Sequence, residues 1–248
     1  MRKLMCDRRG QFVIIAVLMI AVMIISIGAL MHRAVTYYRH EPWEEYLALI
    51  GNVELNSKRL VELSLANYTH TLNQNILKNN LEKWETDALK IYHGRGVRIN
   101  YELANRSYNI YGTNVNYMFG LNYSWYKQKS FSVANATFSL NLTSIGLSGY
   151  KFTAVAFLNL TIISINVNRI NVTVKAEDKV PVFGLGKDNF QVIMASNNAT
   201  IQILSVESFY DDRETLVYVI KCNQDISTAI YVKLCDSRGI QVIAKYPP

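Results

Sequence analysis

The chain has 248 residues, half of them hydrophobic, and carries a formal net charge of +7 from 26 basic and 19 acidic residues. The basic residues are dispersed and form no stripe with interleaved aromatics, which argues against nucleic-acid binding. Sixteen tyrosines and many Asn, Ser and Thr residues suit an exposed β-rich surface better than a compact catalytic core. About 215 residues follow the first apolar segment, enough for two small domains or one elongated domain.

The first predicted element is a membrane helix. Residues 11–31 form a run of twenty-one residues with no charged side chain. At about 1.5 Å per residue this run spans roughly 31 Å as a helix, which matches a hydrocarbon core of about 30 Å. We predict a transmembrane helix over residues 11–36, in a plasma-membrane protein that crosses the bilayer once.

Charges beside this helix predict its orientation. The basic residues before the apolar run outnumber those directly after it, where Arg33 and Arg39 are soon followed by glutamates. Basic side chains resist translocation, so we expect a cytoplasmic N-terminus and an extracellular C-terminal domain. A cleaved secretory peptide fits less well, because its apolar region is shorter and Met31-His32-Arg33 offers no small-residue cleavage site. The preceding basic residues are Arg2, Lys3, Arg8 and Arg9.

The residues that lead into the apolar run suggest a family. The sequence Arg8-Arg9-Gly10-Gln11-Phe12 resembles the class III leader of archaeal type IV pilin-like proteins. The resemblance implies that residues 1–10 are a leader, that a prepilin-type peptidase cuts between Gly10 and Gln11, and that the helix self-assembles. Many bacterial pilins carry Glu at the fifth mature position, where this chain has Ile15, and archaeal relatives often lack that acid. The alternative is an uncut signal anchor whose arginines set the topology.

Residues 41–93 have a helical pattern. Pro42 suits a helix start, and apolar residues then recur at spacings of three and four. Residues 67–75 interrupt the pattern as a bend, and Gly94 and Gly96 mark its end. Two arrangements fit this segment: a stem that continues the membrane helix outward, or a helical hairpin that covers the apolar side of the following sheet.

After Gly96 the pattern changes to strands. In residues 137–143 and 169–175 apolar and polar side chains alternate with a period of two. Between these segments the apolar side switches near Asn168, so a bulge, a turn or a module boundary must lie there. We place a boundary at residue 168, which makes residues 96–168 a first β module.

Residues 169–248 predict a second β module with six or seven short strands. Its segment 181–190, with the sequence PVFGLGKDNF, resembles a linker between strands in immunoglobulin-like extracellular modules. That resemblance implies an immunoglobulin-like β-sandwich. The predicted class is therefore α+β: a transmembrane helix and a helical stem, followed by a mainly antiparallel ectodomain of the β-sandwich type.

Eight N-x-Ser/Thr sequons occur along the chain and favour glycosylation of an outer surface. Strands offer a second explanation, because residues i and i+2 share one face and a polar face produces such triplets without any sugar. Both explanations place the asparagines outside the cell and facing solvent. The sequon asparagines are Asn67, Asn105, Asn122, Asn135, Asn141, Asn159, Asn171 and Asn198.

Cysteines are sparse. Removal of the leader would take Cys6 and leave Cys222 and Cys235 as a candidate disulfide in an oxidising compartment. If their strands form a simple hairpin around residues 223–227, the thiols lie roughly 20 Å apart, far beyond a bridgeable separation. The bond therefore requires that the two strands belong to opposite sheets or that the hairpin is irregular.

No catalytic arrangement is visible in the sequence. The four histidines have no partners at zinc-site spacing, and no G-x-S-x-G motif is present. Residues 211–214 form a charged cluster without calcium-loop spacing, so we predict a turn. We therefore expect no enzyme activity, no metal site and no cofactor.

The sequence predicts a membrane-anchored cell-surface protein. The first hypothesis is a type IV pilin-like structural subunit, with the membrane, a prepilin-type peptidase and copies of itself as partners. The alternative is a solitary signal-anchored surface glycoprotein or adhesin that does not assemble. An anchored enzyme is a distant third.

Overall fold

A computed structural model describes residues 8–39, 43–105, 107–110, 113–211, 215–226 and 228–247. An N-terminal apolar helix is followed by further helices and then by mainly antiparallel sheets, which confirms the α+β class. The chain forms two compact units, Met1–Asn52 and Val53–Pro248. Residues 1–7 of the predicted leader lie outside the described residues.

Three helices open the chain: α1 (Arg8–Arg39), α2 (Trp43–Thr71) and α3 (Ile76–Ile91). Helix α1 contains the whole predicted membrane segment. The predicted bend is confirmed, because α2 ends at Thr71 and Leu72 has a positive φ of 55°. Pro42, the predicted helix start, lies outside the described residues.

The part of α2 after Val53 forms an antiparallel hairpin with α3. Two side-chain hydrogen bonds join the helices: Trp84 Nε1 donates to Ser57 Oγ at 3.0 Å, and Asn80 Nδ2 donates to Ser64 Oγ at 2.9 Å. Apolar side chains at helical spacing fill the space beside these bonds. Of the two arrangements predicted for this segment, residues 53–91 adopt the hairpin. The buried apolar residues include Val61, Leu65, Leu77, Leu81 and Ala88.

Thirteen strands follow in the described residues, and every pairing between them is antiparallel. The strands are β1 (Val97–Leu103), β2 (Ser107–Ile110), β3 (Thr113–Asn116), β4 (Leu121–Ser124), β5 (Lys129–Leu142), β6 (Leu147–Asn166), β7 (Arg169–Lys175), β8 (Phe190–Met194), β9 (Thr200–Ile201), β10 (Ile203–Tyr210), β11 (Leu216–Cys222), β12 (Ile230–Cys235) and β13 (Gln241–Tyr246).

These strands form three sheets. A seven-stranded sheet has the order β1-β5-β6-β7-β11-β10, with β4 also paired to β5. A four-stranded sheet has the order β13-β12-β8-β9, and β2 pairs with β3. Seven strands follow residue 168, which agrees with the predicted number, but they are divided between the two larger sheets.

The predicted module boundary at residue 168 is wrong. Strands β6 and β7 lie on either side of it and pair within one sheet, with Ile165 opposite Ile170. The chain turns at Val167, whose φ is 50°, so the predicted turn is present without a domain boundary. A bulge between Ile162 and Ser164 changes which side chains face inward: Ile162 lies opposite buried Val172 before it, and Ile165 lies opposite buried Ile170 after it.

The two larger sheets are connected at two places. Only Gln202 separates β9 in the four-stranded sheet from β10 in the seven-stranded sheet. At the other end, Tyr126 N donates to Ile243 O and Lys245 N donates to Lys127 O, so the residues before β5 pair with β13. Strand β13 packs against β5 and β6. Strand β13 therefore belongs to the same core as β5 and β6.

An ion-pair network fastens the hairpin to this core. Arg238 donates to Asp236 Oδ2 at 2.8 Å, to Glu177 Oε1 at 2.7 Å and to the Phe157 carbonyl at 3.1 Å, and its Nη1 lies 3.4 Å from Glu62 Oε1 in α2. Burial alone lowers the pKa of Arg238, but the carboxylates of Asp236 and Glu177 outweigh burial and raise this pKa. The guanidinium therefore stays charged where it joins α2, β6 and two loops.

Candidate functional site

The strongest candidate functional element is the apolar part of α1. Residues 15–33 are long and apolar enough to cross a membrane, with a mean hydropathy of 2.5. Large apolar side chains are exposed on all sides of this helix, including Met23 at 67% and Ile25 at 70%. Removing each such side chain from water is worth about 1.5–3 kcal/mol, so transfer of this segment to an apolar environment is favourable.

The candidate leader-processing residues lie at the start of this helix. Helix α1 begins at Arg8, so the backbone of Arg9, Gly10 and Gln11 is helical. The peptide bond between Gly10 and Gln11 therefore lies in the same helix as the apolar segment.

Five of the eight sequon asparagines lie on one face of the seven-stranded sheet. Asn122 pairs with Val133, Asn159 pairs with Phe131, and Thr161 pairs with Thr173. Since side chains alternate along a strand, these pairings place the five on the same side. Asn and Thr two residues apart thus share a face here, as the polar-face explanation predicts. The five are Asn122, Asn135, Asn141, Asn159 and Asn171.

The expectation that every sequon asparagine faces solvent is wrong for Asn159. This residue is only 6% exposed, its Nδ2 donates to the Ser130 carbonyl at 3.0 Å, and its Oδ1 accepts from Thr161 Oγ1 at 3.1 Å. A glycan is attached through the amide nitrogen. Because that nitrogen is buried and hydrogen-bonded, Asn159 is a structural residue of the folded sheet.

Two other amides on this face are also engaged. Asn171 Nδ2 donates to Ser164 Oγ at 3.0 Å, and Asn122 Nδ2 donates to the Asn116 carbonyl. Within the described part of the chain, no hydrogen bond holds the amide nitrogens of Asn135 and Asn141, which are both half-buried. These two asparagines are therefore the best-presented acceptors on the sheet face.

The remaining three sequon asparagines lie outside this face. Asn67, in α2, and Asn198, in the turn after β8, are exposed. Asn105 is also exposed, although Arg106 of its triplet lies outside the described residues.

An open groove of about 630 Å³ runs beside Asn135 and Asn105. Tyr101 lines it, and burial raises the pKa of this tyrosine, with further contributions from Glu82 and Glu85. Among the described residues that line it are polar and apolar groups but no nucleophile paired with a base.

The candidate disulfide between Cys222 and Cys235 is absent, because both are free thiols. The two cysteine strands do not form a simple hairpin: β11, with Cys222, belongs to the seven-stranded sheet, and β12, with Cys235, belongs to the four-stranded sheet. Burial raises the pKa of both thiols, and Asp236 raises that of Cys235 further. A raised pKa keeps a thiol protonated and poorly nucleophilic at neutral pH.

His70, His93 and Asp211 have structural contacts. Among the described residues, no group of three or more His, Cys, Asp or Glu side chains could hold a metal ion. His70 Nε2 lies 3.0 Å from the Gly239 carbonyl, and His93 Nδ1 lies 3.1 Å from the Lys90 carbonyl. Asp211 Oδ1 accepts from Thr215 N at 2.8 Å, and residues 212–214 lie outside the described residues.

Comparisons of the chain with protein-family models, curated proteins and solved structures found no match.

Proposed function

We propose that this chain is a membrane-anchored cell-surface protein and a type IV pilin-like structural subunit. Its N-terminus lies in the cytoplasm, α1 crosses the membrane once, and the β-rich unit is displayed outside. The observation that supports this most directly is the exposed apolar surface of residues 15–33 in a chain whose other compact unit is rich in strands. The charge bias beside α1 supports the orientation.

In this proposal α1 serves first as a membrane anchor and then as an assembly element. A prepilin-type peptidase removes residues 1–10, and the mature helix packs against copies of itself. Small residues favour such packing because they let helix backbones approach closely. An added Cβ at Gly28 would meet no atom within 4 Å, so this position is open to a neighbouring helix. Ala16, Ala21 and Ala29 add further small residues.

We further propose that the two larger sheets act as an immunoglobulin-like β-sandwich ectodomain. The passage of the chain from one sheet to the other at Gln202 supports this, since strands that switch sheets are typical of packed sheet pairs. The packing of β13 on β5 and β6 supports it as well.

A second candidate function is a solitary anchored surface glycoprotein or adhesin. The amide nitrogens of Asn135 and Asn141 favour this candidate, because they are the least engaged on the sheet face. Glycopeptide mapping of native protein tests it: we expect sugar at Asn135 and Asn141 and none at Asn159. Unmodified Asn135 and Asn141 would count against the glycoprotein.

N-terminal peptide mass spectrometry of the native membrane fraction tests the pilin-like proposal. We expect a mature start at Gln11 and recovery of the chain in purified surface filaments. A Gly10→Val variant is the control, because it blocks the cut and should retain Cys6. Retention of Met1 or Arg2 in the unaltered protein, with recovery only as a detergent-soluble monomer, would identify a plain signal anchor instead.

A further inference from the structure

A cationic groove lies on the same sheet face as Asn159. It has a volume of about 400 Å³, within the range of small-molecule sites. Three lysines from successive parts of the fold surround it: Lys129 begins β5, Lys175 ends β7, and Lys179 lies in the turn that follows. The groove is therefore built by tertiary structure, because 45 residues lie between Lys129 and Lys175 in the sequence.

The floor of the groove consists of ordered polar side chains. Lys129 pairs with Thr161, Thr161 pairs with Thr173, and Asn159 pairs with Lys175, so these groups form two adjacent rows across the sheet. Asn159 and Thr173 are 6% and 8% exposed. Hydrogen bonds to Ser130 and Thr161 hold the Asn159 amide in place.

Unlike the amide of Asn159, the hydroxyl of Thr173 makes no hydrogen bond with the described residues. Within the described part of the chain, no hydrogen bond engages its hydroxyl, although the side chain is more than nine-tenths buried and lines the groove. Its hydroxyl oxygen is not among the enclosed polar atoms that lack a partner, so it can be reached from the groove. A ligand in the groove could form a hydrogen bond with it.

The charge of the groove is not neutralised by nearby acids. Among the described residues, none of the three lysines forms an ion pair. Glu177 is close in sequence, but its Oε1 accepts from Arg238 at 2.7 Å and from Phe157 N at 2.6 Å. Neither Glu177 nor Asp178 lines the groove. The groove is therefore an electropositive pocket with a polar floor.

We propose that this groove binds an acidic saccharide, a sugar that carries carboxylate or sulfate groups. The ammonium groups of Lys129, Lys175 and Lys179 pair with its anionic groups. Thr161 and Thr173 offer hydroxyls to the sugar hydroxyls, and Phe157 provides an apolar side wall. This proposal goes beyond the membrane anchor and holds whether or not the chain assembles into filaments.

Calorimetry on the full chain in detergent micelles tests the site with defined probes. The ligands are a galacturonic acid trimer, a neutral galactose trimer, and sodium sulfate at the same ionic strength. We expect the acidic trimer to bind at least about tenfold more tightly than the neutral one, and its affinity to fall as salt rises.

Matched variants separate this site from general surface charge. Combining Lys129→Gln, Lys175→Gln and Lys179→Gln should weaken binding of the acidic trimer at least about tenfold. Combining Lys83→Gln, Lys151→Gln and Lys187→Gln removes the same charge elsewhere and should change the affinity by less than about twofold. Thr173→Val keeps the side-chain shape and should weaken binding several-fold, with an unchanged unfolding transition.

Four outcomes would overturn the proposal. These are equal binding of the neutral trimer, an equal loss in both triple variants, binding of sulfate without the acidic trimer, and no binding of either.

Discussion

Tyr68 shows how burial of one titratable side chain makes stability depend on pH. It lies in α2, is 4% exposed and packs near the ring of Tyr123, with the ring centroids 6.0 Å apart. Burial raises the pKa of Tyr68 to about 12, and Tyr123 contributes further. The neutral phenol is therefore favoured in the folded protein relative to the unfolded chain, where a tyrosine titrates at about 10.

This shift predicts an alkaline loss of stability. Below pH 10 Tyr68 keeps its proton in both the folded and the unfolded protein, so its contribution to stability is fully present. Between about pH 10 and 12 the unfolded chain releases the proton first, and the free energy of unfolding falls by roughly 2 kcal/mol. Tyr68→Phe removes the titrating group and should show a smaller loss over that window. Urea unfolding of both proteins at pH 8 and pH 11.5 measures the difference. Parallel losses in the two proteins would show that Tyr68 does not titrate as described.

The turn before β4 contains Gly120, which lies close to both β5 and α3. Gly120 has a positive φ of 76°, its N–H donates to the Ala104 carbonyl, and its carbonyl accepts from Asn135 N. An added Cβ would lie 2.7 Å from the Asn135 oxygen and 2.9 Å from Leu77 Cδ2. The turn therefore brings β5 and α3 closer than any other residue would allow.

Gly120→Ala should lower the free energy of unfolding by about 3 kcal/mol, because it adds steric overlap to a disfavoured φ. Gly146→Ala is the matched control: Gly146 also has a positive φ, 69°, but an added Cβ would meet no atom within 4 Å. It should cost only about 1 kcal/mol. Chemical denaturation of both variants measures the difference, and equal losses would rule out the steric contribution.

The periodicity of apolar residues predicted two of the breaks between helices and strands. The bend between α2 and α3 and the turn near Asn168 are visible in the sequence because they interrupt local patterns of three to four or of two residues. The close approach at Gly120 is not visible there, since it depends on Leu77, which is distant in sequence.

Long-range charge pairing joins the helical hairpin to the sheets. Arg238 keeps 22% of its side chain exposed, whereas the side chain of Asp236 is only 2% exposed. Arg238→Met preserves length and apolar bulk but leaves the Asp236 carboxylate without its guanidinium. We expect a loss of about 2–3 kcal/mol, at the low end for a broken buried pair because Arg238 is partly exposed.

Denaturant unfolding tests this, with Arg98→Met on the exposed side of β1 as the control. The control should change stability by less than about 0.5 kcal/mol. If the two variants lose the same stability, the network does not hold the hairpin in place.

The proposed membrane attachment is tested on the full chain. Lysines at Ile20 and Ile24 should each cost about 2.5–3.5 kcal/mol in a membrane helix. We expect the unaltered chain to stay in the pellet after alkaline carbonate washing and the Ile20→Lys/Ile24→Lys variant to be partly released. Leu89→Lys with Ile91→Lys, on exposed positions of α3, is the control and should not be released. Retention of the first variant would argue against a membrane helix in this segment.

Some features of this protein follow from the order of residues alone. Local sequence predicts the apolar helix of residues 11–31, the helical segment after residue 41 and the later strands, because helix and strand periodicities depend on near neighbours. The segment 53–91 could have been a stem or a hairpin, and contacts such as Trp84 with Ser57 decided between them.

Other features depended on which distant strands meet. The pairing of β6 with β7 rules out the predicted module boundary, the separate sheets of β11 and β12 rule out a simple hairpin of the two cysteine strands, and the pairing of β5 with β6 buries Asn159. The cationic groove belongs to the same group, since its lysines come together only when β5, β6 and β7 form one sheet. Strand pairing acts between residues far apart in sequence, so a local pattern specifies a strand but not its neighbours.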